Sequence, residues 1–188
     1  MSDDTAHDET TLIQAAQRDL AAFGPLYVRY LDRIYTYLRT RTGSARAEDA
    51  ADLTQQVFLR ALDALPRYRV RNGNSVAAWL FRIARNAATD WQRREGRTVP
   101  WEAVPEEQHP PAPETADGEV VHQDEIAQVH RLLATLDDGT REALVLRFSA
   151  QLTLAEIGAV LGTSEDAARK RISRALRTLK ERYCDDTP

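Results

Sequence analysis

The sequence predicts an all-α protein made of two small helical domains on either side of a linker. Three observations point there. Ala, Leu and Arg are plentiful while Gly (8 residues) and Phe (4 residues) are sparse, a composition that favours helix. Apolar residues recur at three- and four-residue spacing through segment after segment. Between residues 96 and 121 that pattern stops: Pro100, Pro105, Pro110, Pro111 and Pro113 break any helix, and carboxylates replace arginines. At 188 residues, each half is long enough to bury its own core. The expected boundaries are a disordered N-terminus at 1–10, a first domain at 11–97, an acidic Pro-rich linker at 98–121, a second domain at 122–183 and a tail at 184–188.

Met1 to about Glu9 is polar and acidic and reads as disordered, with a short helix from Thr11 to Leu20. Pro25 suits the first turn of the next helix, whose apolar stripe is Leu26, Tyr27, Tyr30, Ile34, Tyr37 and Leu38. Gly43 ends it, and Ser44 can cap its successor. That successor, from about Ala45 to Leu65, turns Ala50, Leu53, Val57, Phe58, Ala61, Leu62 and Leu65 inward. Its outer face carries Glu48, Asp49, Asp52, Gln55, Gln56 and Asp63, with Leu59 among them, either an incidental apolar residue or the anchor of a partner contact.

Pro66 stops that helix, and a loop from Arg67 to Ser75 interleaves arginines with Tyr68, Asn72 and Gly73. A helix from Val76 to about Arg94 follows. Its apolar side is Trp79, Leu80, Ile83, Ala84, Ala87 and Trp91, and Arg82, Asn86, Asp90, Arg93 and Arg97 share the other side. An arginine loop beside an arginine helix is a cradle for a nucleic-acid backbone, with room for splayed bases against aromatic rings. Beyond the linker, in which Trp101 stands alone, helices are expected from about Asp124 to Leu136 and from Arg141 to Phe148.

The stretch from Thr153 to Leu179 reads as a helix-turn-helix. Thr153 and Glu156 form a capping box. Leu154, Ile157, Val160 and Leu161 share one face, and Gly162 tolerates the positive φ of the turn. Thr163 or Ser164 caps the second helix, where Glu165 and Asp166 suit the N-terminal dipole. Ala168, Ile172, Ala175, Leu176 and Leu179 form its core stripe. Arg169, Lys170, Ser173, Arg174, Arg177 and Lys180 lie off that stripe. A basic helix fits the major groove, where arginine bonds guanine through two parallel hydrogen bonds.

The formal net charge of −4 hides a segregated distribution. Arginines gather at residues 67–97 and 169–182, and acids at the N-terminus and between Glu102 and Glu125. One cysteine, Cys184, permits no disulfide within the chain, and no apolar run approaches a membrane span, so a cytoplasmic location is expected. His7, His109, His122 and His130 have no metal-ligand spacing with one another or with Cys184. No phosphate-binding glycine loop and no catalytic constellation is present, so neither a cofactor, a metal nor an enzyme is expected.

With both halves in view, the chain resembles bacterial RNA polymerase sigma factors of the extracytoplasmic-function (ECF) group, from about Leu12 to Tyr183. Three blocks carry the resemblance: AEDAADLTQQVFL from Ala47 to Leu59, WLFRIARNAATDWQRR from Trp79 to Arg94, and Leu136 to Leu179 with the helix-turn-helix. It implies a promoter-specificity factor that binds core polymerase, helps melt promoter DNA and directs transcription initiation. By that resemblance Asp49, Asp52, Gln55, Gln56 and Leu59 bind the clamp helices of the polymerase β′ subunit. Arg67, Arg69, Arg71, Asn72, Trp79, Arg82, Asn86, Asp90, Arg93 and Arg94 meet the melted minus-ten element.

The helix beginning at Ser164 would enter the minus-thirty-five major groove. Arg169, Lys170, Ser173 and Arg174 are assigned to bases, Arg171 and Arg177 to phosphates, and the domain also touches the β flap. The family implies an anti-sigma partner and a linker threading toward the active-site cleft; the acidity of that linker, with Glu102, Glu106, Glu107 and Glu114, reads either as carboxylates standing in RNA's place or as a solubilising tether. Glu165-Asp166-Ala167-Ala168 departs from the glycine or threonine before valine found in relatives, and Lys170 from a small polar residue, so the sequence leaves the helix's register on DNA open. The competing reading is a dimeric helix-turn-helix regulator that binds duplex DNA without core polymerase.

Overall fold

The computed structural model describes residues 2–43, 46–69, 75–95, 132–133 and 135–185, with side chains from Asp8 to Tyr183 within those spans. The expectations that fall on Ser44, Arg71, Asn72, the linker with Trp101 and its four glutamates, most of the helix at 124–136, and His109, His122 and His130 lie outside the described residues. Among the described residues every regular element is helical: α1 (Ser2–Ala16), α2 (Gly24–Thr42), α3 (Ala47–Ala64), α4 (Val76–Glu95), α5 (Asp138–Phe148), α6 (Leu154–Leu161) and α7 (Glu165–Asp185). Short 3-10 turns lie at Leu20–Phe23 and Leu65–Arg67.

Helices α2, α3 and α4 pack on one another around Tyr30, Ile34, Leu38, Leu53, Val57, Leu80 and Phe81, all almost wholly buried. Their limits follow local chemistry. Pro25 occupies the first turn of α2, and Gly43 at φ 83° closes it. Tyr27 differs from its expected place in the core: it stays 39% exposed and packs its ring on Phe58, 4.6 Å between centroids.

The N-terminus departs from the expectation of disorder, because α1 begins at Ser2. Glu9 is buried and accepts a hydrogen bond from the Tyr30 hydroxyl at 2.6 Å. Arg29 pairs with Asp8 at 2.7 Å and with Glu9 at 3.4 Å. At Asp8 and Glu9 the acidity meets specific partners on α2. Burial, reinforced by the Glu9 carboxylate, pushes the Tyr30 hydroxyl far above the usual phenol range, so it remains a donor. Glu9→Ala would strand that hydroxyl without an acceptor, at an expected cost of about 1–3 kcal/mol. A lower urea midpoint at unchanged slope is the expected observation.

In the second domain α5, α6 and α7 enclose Leu146, Leu152, Ile157, Ala168 and Ile172. Asp137 caps α5 by accepting from Thr140 N at 3.0 Å, so the helix starts three residues before the sequence placed it. The Thr140 hydrogen bonds, side chain first, hold the Asp137 carboxyl below its ordinary value, with smaller help from Arg171. The Thr153–Glu156 capping box forms as expected, and Gly162 takes φ 69°. Ser164, rather than Thr163, accepts from the α7 backbone, at 3.2 Å from Ala167 N. The buried apolar residues of the two halves join in one continuous cluster.

Candidate protein and nucleic-acid interfaces

On α3, Asp52, Gln55 and Leu59 are exposed and recur at three- and four-residue spacing, which sets them on one stripe. Asp49 and Gln56 are half-buried beside it. Leu59 is 62% exposed, an apolar side chain framed by carboxylates and amides. Asp49 is partly engaged already: Arg46 reaches it at 3.4 Å and Glu95 at 3.0 Å, while its guanidinium lies 5.3 Å from the Trp91 ring centre.

The exposed stripe of α4 is Arg82, Asn86, Asp90 and Arg93, with Arg94 beside it. It neighbours the α3 stripe, for Arg60 and Asp90 approach to 3.8 Å across the two helices. Both expected core tryptophans contribute to packing. Trp91 is buried, and half-buried Trp79 packs on Tyr68 with centroids 4.4 Å apart. Burial pushes the Tyr68 hydroxyl up to about 12, so the ring beside Trp79 stays neutral. Arg67 and Arg69 are exposed at the start of the loop, where Arg69 donates to the carbonyls of Pro66 and Tyr68, each at 3.1 Å. Arg82 is already occupied, donating to the Ala159 carbonyl of α6 at 2.7 Å.

On α7, Arg169, Lys170, Ser173, Arg174 and Arg177 are exposed. Arg169 pairs with Glu165 at 2.7 Å and Lys170 with Asp166 at 2.8 Å, each one turn back. Exposed pairs of this kind hold by less than about 1 kcal/mol, so a base edge or phosphate can displace the carboxylate. Arg171 stands apart from the others. It is half-buried against the N-terminus of α5, so close to Gly139 that a Cβ there would lie 3.3 Å from its Nη1. With Asp137, Thr140 and Arg174 it lines a cleft between α5 and α7.

Periodicity does not reveal other features of these surfaces. Phe148 is 59% exposed at the end of α5, and Leu176, expected in the core, is 42% exposed. Gly158 lies against the helix-turn-helix turn, where an added Cβ would meet Thr163 O at 2.8 Å and Glu165 N at 3.1 Å. Its sequence signal is a glycine in a helix interior, where propensity alone disfavours it. Among the described residues no group of three or more His, Cys, Asp and Glu side chains could hold a metal, and no helix is long and apolar enough to cross a membrane.

A helical bundle with adjoining acidic-amide and basic stripes, coupled to a helix-turn-helix, defines a DNA-binding protein with a second macromolecular partner. Comparison with known families makes the class specific. Residues 26–98 match the family model of Sigma-70 region 2, and residues 132–181 match Sigma-70, region 4. The chain is 35% identical to the ECF RNA polymerase sigma factor ShbA of Streptomyces griseus, over 92% of this chain and 96% of that protein. It is 33% identical to the ECF sigma factor SigD of Mycobacterium tuberculosis, over 89% of this chain and 76% of the relative. Among solved structures it resembles CnrH in complex with the cytosolic domain of CnrY, with a TM-score of 0.66, 26% identity, and 95% and 99% of the two chains covered.

The chain belongs to the ECF RNA polymerase sigma factors. It is a promoter-specificity factor for transcription initiation and not an enzyme. The region 2 match also weighs against the dimeric regulator, which leaves the first helical bundle without a purpose.

Proposed function

We propose that the first domain divides its work between the two stripes of α3 and α4. The α3 stripe, with Asp49, Asp52, Gln55, Gln56 and Leu59, binds the polymerase β′ clamp helices. The α4 stripe and the preceding arginine loop capture the nontemplate strand of the melted minus-ten element. The observation that carries this reading is their adjacency: an acidic-amide face with one apolar anchor borders a basic face at the Arg60–Asp90 pair. A strand held on α4 thereby lies beside the polymerase that α3 holds. Each captured base loses stacking of about 1–3 kcal/mol, which aromatic and arginine contacts on the protein must offset.

The exposed basic face of α7 enters the major groove of the minus-thirty-five element, with Arg169, Lys170, Ser173 and Arg174 at base edges and Arg177 at phosphates. The inward turn of Arg171 supports a different role, steadying the N-terminus of α5. The second domain touches the polymerase β flap, and the acidic linker runs toward the RNA path. CnrH, a relative of this fold, is described in complex with the cytosolic domain of CnrY. By analogy this chain takes an anti-sigma partner, and it acts in the cytoplasm, where polymerase works.

Run-off transcription on a genomic library with purified core polymerase tests the function. Discrete start sites that require this protein and share two spaced upstream motifs are expected. Tight binding to duplex DNA by the protein alone, with no core-dependent transcripts, would instead identify a conventional regulator.

A further inference from the structure

Helix α1 has no part in that division of labour, yet one side of it reaches the strand-capturing surface. Glu9, Ile13 and Gln17 recur at four-residue spacing, so they share that side. Glu9 meets Tyr30, and Ile13 is buried in the core with Ala16. Gln17 follows the last residue of α1 and is exposed, with its backbone N–H tied to the Ile13 carbonyl at 2.9 Å. From that fixed base its side-chain nitrogen donates to the carbonyls of Leu65 and Tyr68, each at 2.9 Å. A primary amide carries two N–H bonds on one nitrogen and carbonyls only accept, so these partners fix which end of the amide faces them.

The two carbonyls bracket the 3-10 turn Leu65–Arg67, through which the chain leaves α3. The turn's own closing bond, from Tyr68 N to the Leu65 carbonyl, is 3.1 Å long and belongs to a class of poor geometry. Leu65 also closes the end of α3, where carbonyls lose their helical partners. Gln17 therefore braces a weak turn from outside, at both of its ends. That turn carries residues of the strand-capturing surface. Tyr68, extended at φ −64° and ψ 134°, packs its buried ring on Trp79. Arg67 and Arg69, on either side of it, are exposed.

We infer that Gln17 is a positioning residue for capture of the minus-ten strand: its amide holds the turn that aims Arg67 and Arg69 and sets Tyr68 against Trp79. The inference rests on the strand-capture reading of α4 and the arginine loop. Gln17 acts through the Leu65 and Tyr68 carbonyls, not by contact with the strand. Its exposed side chain adds little to the core, and Ile13, Ala16 and the Glu9–Tyr30 bond keep α1 docked without it. Losing the amide therefore loosens the turn while the bundle and the α3 stripe stay in place.

The test compares the full-length wild type with Gln17→Met, which keeps length and loses both donors, and Gln17→Lys, whose ammonium donates over a similar reach. Each is bound to core polymerase and titrated with a single-stranded oligonucleotide carrying the minus-ten sequence found by run-off transcription. Gln17→Met should bind that strand about five- to tenfold more weakly, the equilibrium equivalent of one net hydrogen bond. Gln17→Lys should recover most of the loss. Affinity for core and for a minus-thirty-five duplex should not change. Amide exchange at Tyr68, and not at Val57 or Leu80, should quicken about tenfold in Gln17→Met. Where wild type binds the strand, equal affinity in Gln17→Met, unchanged exchange at Tyr68, or an equal loss of core, duplex and strand binding would each overturn the inference. If wild type prefers the minus-ten strand no more than a scrambled one while exchange at Tyr68 still quickens, the brace stands and the strand-capture reading falls instead.

Discussion

Leu59→Asp is expected to weaken binding to core RNA polymerase by roughly 30- to 100-fold, about 2–3 kcal/mol. The side chain is 62% exposed and no interior packing depends on it, so the free protein should unfold at its wild-type midpoint. The cost falls on the complex. An apolar anchor that loses water on docking is replaced by a carboxylate that must either stay hydrated or be buried unpaired. Leu59→Met, which keeps apolar volume, should bind within a few-fold of wild type. Competition between labelled wild type and each variant for core polymerase gives the ratio directly. Equal competition by Leu59→Asp would place the polymerase contact away from α3.

The α3 and α4 surfaces were legible because each is written along a single helix, where 3.6-residue spacing decides which side chains share a face. Asp52, Gln55 and Leu59 on one helix, and Arg82, Asn86, Asp90 and Arg93 on the other, needed no knowledge of tertiary structure. The helix-turn-helix was legible for a related reason, since Thr153, Glu156 and Gly162 act on neighbours within a few residues. What periodicity could not supply is the identity of distant partners. Glu9 reads as one more acid in a solvated terminus until Tyr30 and Arg29 are seen beside it. Glu142 reads as a surface glutamate on α5 until Tyr37 and Arg41 close around it from α2. Arg171 lies among arginines that face outward, yet its position on the helix turns it toward α5. In each case a long-range contact turns a charge inward, burying Glu9 and Glu142 and half-burying Arg171, and the cost is offset only in the folded chain.

Gly158 offers the sharpest separation between stability and recognition. Alanine is the better helix former by about 1 kcal/mol, so propensity alone predicts that Gly158→Ala stabilises α6. Steric contact decides otherwise. The new Cβ would stand 2.8 Å from Thr163 O and 3.1 Å from both Glu165 N and Ser164 C, all backbone atoms of the turn that cannot rotate aside. Overpacking of this kind costs about 1–3 kcal/mol, and the relief available is to move the start of α7 away from α6. A displaced helix carries Arg169, Lys170, Ser173 and Arg174 out of register, and base contacts worth about 1–3 kcal/mol each are lost together. Gly158→Ala is therefore expected to lower transcription from a minus-thirty-five-dependent promoter at least tenfold, with only a few degrees' loss in thermal midpoint. Gly162→Ala makes the contrasting case. Its φ of 69° strains a side chain, but nothing lies within 4 Å of the added Cβ, so the turn keeps its path. That variant should lose about 1–2 kcal/mol of stability while its folded fraction retains promoter recognition. Thermal unfolding and run-off transcription on the same preparations distinguish the two, and equal recognition by both variants would mean that α7 does not depend on the α6 contact for its position.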